Sequence, residues 1–351
     1  MRVLVTGSAG FIGSEICRQL VETGDDVVRV DLMLPQAHGS QRAPAATHQV
    51  DVRDAESWTG LLDGVDVVCH QAALVGAGAR VADLPLYAAH NDLGTAALLS
   101  AMHVAGVGTL VLASSMVVYG EGRYVCADHG HQSPGARTPA DLEAGRFDHP
   151  CPACGEPMAW GLVDEDARLE PRSSYAASKL AQEHYAAAWT RQTGGAVVAL
   201  RYHNVYGPEM PRDTPYSGVA AMFRSSLERG QPPRVFEDGR QVRDFVHVAD
   251  VARANVLASR AVVGRSGFRA INVCSGQPIT IGEVAALVST GSADPREPLV
   301  TGEFRPGDVR HVVASPRRAA DELGFVAAVR PEEGLTAFAT APLRPPASPA
   351  R

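Results

Sequence analysis

The sequence predicts an α/β protein with a doubly wound parallel sheet, a smaller C-terminal lobe and an insertion that contains Cys and His. Three observations predict this class. Short apolar runs alternate with segments of helical spacing through the first half of the chain, a glycine-rich turn follows the first run, and the pattern loosens beyond residue 207. Strands that alternate with helices form βαβ units, and nearly continuous apolar strands suit a sheet that is buried on both faces.

The predicted elements follow one another along the chain. The strand-like runs are VLVTG (3–7), VVRVD (27–31), VVCHQA (67–72), TLVLASS (109–115) and AVVALRYHN (196–204). Helical spacing is found at 11–24, 91–106 and 173–192. β-Branched residues favour the strands, and apolar residues three and four positions apart give each helix a face for the sheet. Shorter strands at 234–239 and 271–276, among frequent Pro and Gly, indicate the smaller lobe.

The composition argues against several classes of protein. The 351 residues are 45% hydrophobic, enough for a large core, and the formal net charge is −7. Nucleic acid as the main partner usually requires a basic face, so it is not expected. The chain has no run of about 18 apolar residues that would span a membrane. The N-terminus MRVLVTG lacks the pattern of a secretory signal, so we expect a cytoplasmic protein.

The turn GSAGFIG carries Gly7, Gly10 and Gly13 directly after a strand and at the start of a helix. In dinucleotide-binding sheets of the Rossmann type, such glycines permit the tight turn, the approach of backbone to a pyrophosphate and close packing of the helix. The helix N-terminus adds unpaired N–H groups that favour an anion. This glycine loop (residues 7–13) therefore predicts a bound dinucleotide.

Two aspartates follow at the ends of the next predicted strands. Asp31 ends the second strand, where a carboxylate accepts a hydrogen bond from the adenosine ribose and repels a 2′-phosphate. NAD is therefore favoured over NADP. Asp51 lies where a third strand would end, and two roles stay open for it, a contact with the adenine edge or the N-cap of a helix.

The segment YAASK places Tyr175 and Lys179 four residues apart, on one face of a helix. A phenol is a weak base at neutral pH, but a nearby ammonium and a positively charged nicotinamide ring favour its phenolate. Ser115 ends a strand at the carboxyl edge of the sheet, where doubly wound folds bind ligands. We expect Tyr175 to exchange a proton with a substrate hydroxyl, and Ser115 to share or bridge that proton.

A series of motifs resembles those of the extended short-chain dehydrogenases/reductases, in the NAD-dependent epimerase/dehydratase group that acts on nucleotide sugars. The motifs are TGSAGFIG at the start, HQAA at 70–73, SSMVVYG at 114–120, YAASK at 175–179, RYHNVYGP at 201–208, VRDFVHVADVA at 242–252 and RPGDV at 305–309. The resemblance covers nearly the whole chain outside 121–163 and the C-terminal tail. Two residues depart from the family pattern, His203 in place of an aromatic residue and Gln71 in place of a common Leu. We expect each departure to be a change in packing or a fine adjustment of the site.

The resemblance implies roles for further residues. Asn204 and Arg243 would contact the diphosphate of a nucleotide sugar, and Arg305 and Asp308 would hold the diphosphate and the ribose. For each of these, the alternative is a structural ion pair. The implied cofactor contacts are Gly7, Ala9, Gly10, Phe11, Ile12, Gly13, Asp31, Asp51, Val52, Gln71, Ala72, Ala73, Ala113, Tyr175, Lys179, Tyr202, Asn204 and Val205. The implied substrate contacts are Ser115, Met116, Asn204, Val219, Val235, Arg243, Arg305 and Asp308.

The resemblance also implies a reaction. Members of the group use NAD to oxidise a sugar hydroxyl, usually at C4, to a keto sugar, and an epimerase returns the hydride to the other face. Dehydratases of the group carry an Asp-Glu pair after the strand-ending Ser or Thr. This chain has Met116 and Val117 there, and neither side chain transfers a proton. We therefore expect a 4-epimerase.

The sugar and the base are less defined. The segment 208–230, with the Cys-bearing insertion, is similar to dTDP-L-rhamnose 4-epimerases, which make dTDP-6-deoxy-L-talose. Residue chemistry does not separate thymine from uracil, so a UDP-hexose or UDP-uronate 4-epimerase stays open, as do a dehydratase, a decarboxylase and an oxidoreductase of the same family. A non-catalytic dinucleotide sensor is disfavoured, because such proteins tend to lose the Tyr-Lys pair that this chain keeps.

The segment 121–163, hereafter the insertion, interrupts the alternation and is rich in Gly, Pro, His and Asp. A structureless loop of this length is uncommon in a compact domain, so we expect something to organise it. It holds two pairs of zinc-knuckle spacing, each followed by Gly: Cys126 with His129, and Cys151 with Cys154.

Three thiolates and one imidazole suit tetrahedral Zn²⁺. We therefore expect a structural zinc site, with His131 as an alternative to His129. A reduced, unliganded loop or a degenerate site is the alternative to metal. Four protein ligands leave no open coordination position, so the metal is not expected to be catalytic. Because the insertion falls between Ser115 and Tyr175, we expect it to shape or cover the sugar pocket.

These observations divide the chain into an NAD-binding domain at 1–205 that includes the insertion, a mainly substrate-binding lobe at 206–340 and a disordered tail at 341–351. The tail APLRPPASPAR is rich in Pro and Ala and lacks periodic apolar residues. The resemblance further implies a homodimer that forms through the helices near 91–106 and 173–192.

Overall fold

The computed structural model describes residues 1–38, 41–76, 78, 80–212 and 218–344. Within these residues, seven parallel strands form one large sheet. In spatial order they are Gly267–Val273, Ala196–Tyr202, Thr109–Ser115, Val67–His70, Arg2–Thr6, Asp26–Val30 and Thr47–His48. The predicted doubly wound α/β fold is therefore confirmed.

The order of the strands reverses beside the first strand of the chain. Arg2–Thr6 pairs with Asp26–Val30 on one side and with Val67–His70 on the other, so the sheet grows outward from it in both directions. Doubly wound sheets bind ligands at this reversal, outside the carboxyl ends of the strands. The glycine loop begins directly after Arg2–Thr6 and therefore lies at that edge.

Helices cover both faces of the large sheet and create two apolar cores. One face packs against Phe11–Glu22, Val248–Val262 and Arg317–Leu323. The other face packs against Val52–Leu62, Gly94–Val104 and Ser174–Thr193. Leu98 in the second core is fully buried, and burial of one such side chain contributes about 1.5–3 kcal/mol. Shorter helical segments are Pro35–His38, Val81–Asp83, Leu84–Tyr87, a π-helical turn at Ala88–Leu93, Met116–Tyr119 and Pro139–Glu143.

The C-terminal lobe has an apolar core of its own. It contains the helices Val219–Glu228, Ile281–Thr290 and Pro331–Phe338. Its strands are Asn204–Tyr206, Val242–His247 and Pro278–Thr280 in one sheet, and Arg234–Val235 paired with Leu299–Val300. The predicted division at residue 205 does not follow the layers of the fold, because Val248–Val262 and Gly267–Val273 return to the large sheet.

The insertion is organised around a small sheet. Its strands Arg123–Cys126, Gly130–Gln132 and Ala159–Val163 join Val313–Ala314 from the lobe. The hydroxyl of Tyr124, which is fully buried, accepts a hydrogen bond from the amide of His311 at 3.1 Å. The insertion is therefore attached to the C-terminal lobe by a shared sheet and a buried contact.

The predicted disordered tail begins too early. Leu343–Arg344, hereafter the C-terminal strand, pairs in parallel with Met210–Pro211, and the amide of Glu209 donates to the carbonyl of Pro342 at 2.7 Å. These contacts order the start of the segment. The rest of the predicted tail, 345–351, and residues 213–217 of the segment similar to rhamnose epimerases lie outside the described residues. None of the described helices has the length and apolar character of a membrane span.

Candidate active site

A cavity of about 750 Å³ lies at the carboxyl ends of the large sheet. Its walls come from the glycine loop, the helix Ser174–Thr193 and the start of the helix Val219–Glu228. The predicted residues that line it are Gly7, Gly10, Phe11, Ile12, Gly13, Asp31, Asp51, Val52, Gln71, Ala72, Ala73, Ala113, Ser115, Met116, Tyr175, Lys179, Tyr202, Asn204, Val205, Val219 and Arg305. The fold thus brings most of the predicted cofactor and catalytic residues to one cavity.

Close backbone contacts require two glycines of the loop. Gly7 has φ +65°, and a Cβ there would lie 2.8 Å from the amide nitrogen of Ala72. A Cβ on Gly13 would lie 2.1 Å from the carbonyl oxygen of Gly7, so a side chain would displace either the loop or the helix behind it. The helix Phe11–Glu22 has no acidic residue in its first turn and no side-chain cap. Its first N–H groups are therefore suited to an anionic ligand.

Asp31 is buried at the end of the second strand and is surrounded by donors. Its carboxylate accepts from the amides of Ala9 at 3.0 Å and Met33 at 2.7 Å, and Nε2 of His38 lies 3.2 Å away. Burial by itself would raise the pKa of Asp31, but these donors hold that pKa below its ordinary value. An ionised carboxylate therefore lines the cavity. His38 also lines it; a single His in a short irregular segment gave no signal in the sequence.

Asp51 lines the cavity and also caps a helix, so its two predicted roles are compatible. Its side chain accepts from the amide of Arg53 at 2.8 Å and pairs with the same residue's guanidinium at 2.6 Å. The third strand, Thr47–His48, ends earlier than expected, and the backbone reaches Asp51 in an extended conformation.

Tyr175, Lys179 and Ser115 meet at the cavity. Tyr175 and Ser115 both line the cavity, and the Ser115 hydroxyl lowers the pKa of the Tyr175 phenol. The ammonium of Lys179 lies 6.0 Å from the centroid of the Tyr175 ring and donates to the carbonyl oxygen of Ala113 at 3.0 Å. The helix that carries Tyr175 and Lys179 is capped by Ser173, whose side chain accepts from an amide of the first turn. The predicted spacing along one helix therefore places both groups beside the end of the Ser115 strand.

Burial dominates the ionisation of these groups. It raises the pKa of Tyr175, and the nearby Ser115 hydroxyl opposes this only in part. It lowers the pKa of Lys179 to about 8, against the opposing effects of Glu183 and Asp92. Burial therefore opposes the phenolate of Tyr175, and a positively charged ligand in the cavity would favour it.

Asn91 is a site residue that the sequence did not reveal. It is fully buried in the π-helical turn, and such turns are frequent at functional sites. Its side chain accepts from the amide of Leu74 at 2.7 Å and donates to the hydroxyl of Ser178 at 2.8 Å. Asn91 thereby joins a wall of the cavity to the helix Ser174–Thr193. In the sequence, Asn91 is one polar residue within a predicted helix, and only these contacts reveal its role.

Gln71, one of the two departures from the family pattern, belongs to a buried network. Its side chain donates to Oδ1 of Asn255 at 3.1 Å, and its carbonyl lies 3.0 Å from the hydroxyl of Tyr202. Burial raises the pKa of Tyr202, so its hydroxyl stays protonated as a donor. The network fixes the end of the strand Ala196–Tyr202 against its neighbours, as expected for a packing role.

His203, the other departure, is 3% exposed and lines the cavity. Within the described residues, neither of its ring nitrogens has a hydrogen-bond partner. Burial, assisted by the charge of Arg243, lowers the pKa of His203 to about 3. The ring is therefore neutral, and it occupies the position of an aromatic side chain without a compensating polar contact.

Two predicted substrate contacts are turned to other partners. Val235 is fully buried in the core of the lobe. Arg243 donates to the carbonyl oxygens of Val309 at 2.6 Å and Arg310 at 2.8 Å, so backbone groups occupy its guanidinium. Neither residue lines the cavity in the described part of the chain. Their contact with a substrate stays a prediction.

Of the two predicted substrate contacts in the segment RPGDV (305–309), one lines the cavity and the other does not. Arg305 lines the cavity, and its guanidinium lies 5.1 Å from the centroid of the Phe236 ring. Asp308 does not line it, and burial raises the pKa of this carboxyl against the attraction of Arg305. Ala9 is likewise absent from the described lining, although its amide reaches Asp31. For Asp308 and Ala9, a contact with ligand stays a prediction.

The four predicted metal ligands come together in the insertion. Sγ of Cys126 lies 3.5 Å from Nδ1 of His129 and 3.7 Å from Sγ of Cys154, and Sγ of Cys151 lies 3.8 Å from Nδ1 of His129. All four ligand atoms are within 4.8 Å of one another. Zn–S bonds of about 2.3 Å at tetrahedral angles separate two sulfurs by about 3.8 Å, so the set fits Zn²⁺. His131 is not part of this set.

The insertion contacts the loop beside the cavity through Arg137 but does not reach the cavity itself. No residue between 121 and 163, all of them described, lines the cavity, so the insertion does not cover the sugar pocket as expected. Arg137 instead forms an ion pair with Glu237 at 2.9 Å and donates to the carbonyl oxygen of Asp308 at 2.6 Å. The insertion therefore supports the loop that carries Arg305.

Comparison with known sequences extends over most of the chain. Residues 3–139 and 154–274 match the NAD dependent epimerase/dehydratase family. A dTDP-L-rhamnose 4-epimerase of Burkholderia thailandensis is 36% identical over 337 residues, which cover 92% of this chain and 90% of that protein. A UDP-glucose 4-epimerase of Mycolicibacterium smegmatis is 31% identical over 349 residues, which cover 95% of this chain and 96% of that protein.

Solved structures agree with the sequence matches. MoeE5 in complex with UDP-glucuronic acid and NAD is similar with a TM-score of 0.75 and 31% identity, over 97% of this chain and 98% of that chain. The Thermus thermophilus UDP-glucose 4-epimerase in complex with NAD is similar with a TM-score of 0.73 and 30% identity, over 97% and 98% of the two chains. These proteins share the doubly wound sheet and the accompanying lobe.

Proposed function

The chain belongs to the NAD-dependent epimerase/dehydratase family, and on that premise we propose that it is a nucleotide-sugar 4-epimerase with NAD as its cofactor. The observation that carries the proposal is the meeting of Tyr175, Ser115 and Lys179 with the glycine loop in one cavity. The reaction passes through a transient 4-keto sugar. An epimerase of this kind returns its cofactor to the starting state in each cycle.

The residues at the sheet edge fit a dinucleotide. The N–H groups after Gly10 would receive the pyrophosphate, and the ionised Asp31 would accept from the adenosine ribose and repel a 2′-phosphate. When bound, NAD supplies the hydride acceptor of the first half of the cycle and a positive ring that favours the Tyr175 phenolate. NAD is therefore the expected cofactor rather than NADP.

The chain's own residues supply the proton chemistry. Tyr175 takes the proton of the C4 hydroxyl and returns it after the keto sugar has turned, while Ser115, on the same cavity wall, shares that proton. Lys179, held by the carbonyl of Ala113, contributes charge beside the ring. Met116, the next residue along the cavity wall, is apolar and cannot help to expel water, which favours epimerisation over dehydration.

We infer that the substrate is a dTDP-6-deoxyhexose, interconverted between dTDP-L-rhamnose and dTDP-6-deoxy-L-talose. The similarity to the Burkholderia thailandensis enzyme supports this substrate. The UDP-glucose 4-epimerases and the UDP-glucuronic acid complex support a second candidate, a UDP-hexose or UDP-uronate 4-epimerase. The two candidate substrates differ in the nucleobase and in the group at C6 of the sugar. The residues that line the described cavity serve the oxidation at C4 that both candidates share.

A panel of nucleotide sugars tests the proposal. The purified protein would be incubated with dTDP-L-rhamnose, dTDP-6-deoxy-L-talose, UDP-glucose and UDP-glucuronic acid, and the products would be identified by NMR while NADH absorbance is followed. We expect inversion at C4 with the dTDP-sugars and no lasting NADH. Lasting NADH, release of CO₂ or loss of water would reject the epimerase assignment, and exchange with UDP-sugars alone would select the second candidate.

We also propose that the insertion binds structural Zn²⁺ through Cys126, His129, Cys151 and Cys154. The distances between the ligand atoms and the soft donor set support this proposal. Four protein ligands would saturate the ion. Zinc would therefore hold the insertion together, since metal-binding energy stabilises the fold, and would take no part in proton or hydride transfer.

The assembly and location of the protein remain proposals. A homodimer through the helices near 91–106 and 173–192 is supported by apolar side chains that the first of them exposes, such as Leu93 at 55% and Val104 at 76%. Light scattering after gel filtration would measure the mass, and a monomeric mass would reject the dimer. The cytoplasmic location and the division of roles between residues 1–205 and 206–340 stay predictions.

A further inference from the structure

We propose that Arg344 binds the pyrophosphate of the dinucleotide, so that the C-terminal strand closes the cofactor site. The inference rests on the proposed use of NAD. The resemblance to the family gave this residue no role, and the composition of the segment placed it in a disordered tail. Its role follows instead from where the folded chain puts its guanidinium.

Arg344 lies against the glycine loop, which is 335 positions away in the chain. Nη1 donates to the carbonyl oxygen of Ala9 at 2.6 Å, and Nη2 lies 3.2 Å from the carbonyl oxygen of Gly10 and 3.0 Å from Oγ of Ser14. The side chain is 11% exposed and lines the same cavity as Gly10 and Phe11. A guanidinium thus faces the cavity directly beside the helix N-terminus.

The charge of Arg344 is only weakly compensated. Its ion pair with Glu209 is long, with Nε 4.0 Å from the carboxylate, and burial lowers the pKa of the guanidinium against the attraction of Glu209 and Asp31. A partly buried cation is stabilised by an anion, and a planar guanidinium matches the geometry of phosphate oxygens. A pyrophosphate on the loop's N–H groups would supply that anion. Arg344 and the helix N-terminus then bind the same group from two sides.

The pairing of the C-terminal strand affects how a bound dinucleotide would leave the cavity. The C-terminal strand pairs with Met210–Pro211, and both of those residues line the cavity. Departure of a dinucleotide held by Arg344 would require the loss of its contact with the guanidinium. A cofactor that stays bound between cycles suits an enzyme that restores NAD in each turnover.

The test compares ligands that differ in their phosphates. Binding of NAD, ADP-ribose and adenosine would be measured by calorimetry on nucleotide-free protein, for the wild type and for Arg344→Gln, Arg344→Lys and Arg317→Gln. Arg317 is the matched control, because its side chain is 86% exposed and its pair with Asp321 is long at 3.5 Å. Thermal unfolding of each variant without ligand reports whether the fold is kept.

We expect Arg344→Gln to weaken NAD and ADP-ribose by about 10- to 100-fold, as for loss of a hydrogen-bonded charge, and to change adenosine by less than about twofold. Arg344→Lys keeps the positive charge but lacks the planar pair of guanidinium donors, so its NAD affinity should lie between those of the wild type and Arg344→Gln. If Arg344→Gln unfolds, Arg344→Lys takes its place in the comparison. Arg317→Gln should match the wild type. Equal NAD affinity in Arg344→Gln, or an equal loss for adenosine, would overturn the inference. A wild type that does not bind NAD would reject the proposed function and, with it, this inference.

Discussion

The guanidinium of Arg137 forms an ion pair with the carboxylate of Glu237 at 2.9 Å, and the two side chains are only 4% and 3% exposed. Arg137 comes from the insertion, whereas Glu237 precedes the strand that carries Arg243. Arg310 reaches the same carboxylate at 2.9 Å. One buried acid thus connects the insertion, which carries the proposed zinc ligands, with the loop that carries Arg305.

Removal of the metal ligands should therefore affect substrate more than cofactor. In Cys151→Ser combined with Cys154→Ser, we expect loss of the proposed zinc, a lower melting temperature and a several-fold higher KM for the nucleotide sugar, because the insertion that carries Arg137 would lose the metal that stabilises its fold. NAD affinity should change by less than about twofold, since no insertion residue lines the described cavity. Metal analysis, thermal unfolding and steady-state kinetics measure the three effects.

His131→Ala is the control for that experiment. His131 is exposed and lies in the insertion outside the ligand set, so its loss should leave zinc content and stability unchanged. Wild-type protein that contains no zinc, or a double variant as stable as the wild type, would reject the structural zinc site.

Glu237→Gln should destabilise the protein by about 3–5 kcal/mol, because it leaves two buried guanidinium groups without their shared charge. Urea unfolding followed by circular dichroism measures the free energy of unfolding. The matched control is Glu303→Gln, since Glu303 and its partner Arg234 are both about half exposed and such a pair contributes about 0–1 kcal/mol. Equal effects of the two substitutions would contradict the importance of the buried pair.

Tyr175→Phe should reduce epimerisation by at least about 100-fold, because the acid–base group is lost while the ring remains. NAD content after gel filtration should stay that of the wild type. Tyr185→Phe changes an exposed tyrosine of the same helix and should keep full activity. Full activity of Tyr175→Phe would remove the proposed mechanism.

Gly13→Ala should abolish NAD binding, because its Cβ would lie 2.1 Å from the carbonyl oxygen of Gly7. Gly60→Ala is the comparison, since a Cβ at Gly60 meets no atom within 4 Å. Fluorescence titration with NAD, combined with thermal unfolding, separates loss of the site from loss of the fold. If Gly13→Ala binds NAD normally, the loop does not hold the pyrophosphate in the proposed way.

Stability should fall as the pH is lowered from 6.5 towards 3. Burial lowers the pKa of His70 and His203 from 6.5 to about 3, so in this window the unfolded chain binds more protons than the folded chain. Each histidine then removes about 1.4 kcal/mol of unfolding free energy per pH unit. His203→Phe should reduce that slope by one histidine's share, as measured by urea unfolding between pH 6 and pH 4. An unchanged slope would show that His203 is not buried in its neutral form.

Local motifs predicted much of the site. The glycine loop, Tyr175 with Lys179, and the strand-ending Ser115 each depend on spacing within one or two adjoining elements, and the fold brings them to one cavity. The Cys and His pairs of the insertion were found in the same way. Residues whose role depends on a distant partner, such as Asn91 beside Ser178, gave no usable signal.

The sequence by itself determined the doubly wound sheet and the chemistry of its edge, because apolar periodicity, turn residues and helical spacing act over a few positions. Only the tertiary structure decided that Arg137 pairs with Glu237, 100 positions away, and that Arg344 contacts Ala9, 335 positions away. It also decided that Arg243 turns to backbone carbonyls instead of the cavity. Such contacts depend on how separate elements pack, and an arginine in a sequence carries no mark of the acid, carbonyl or phosphate that will be placed beside it.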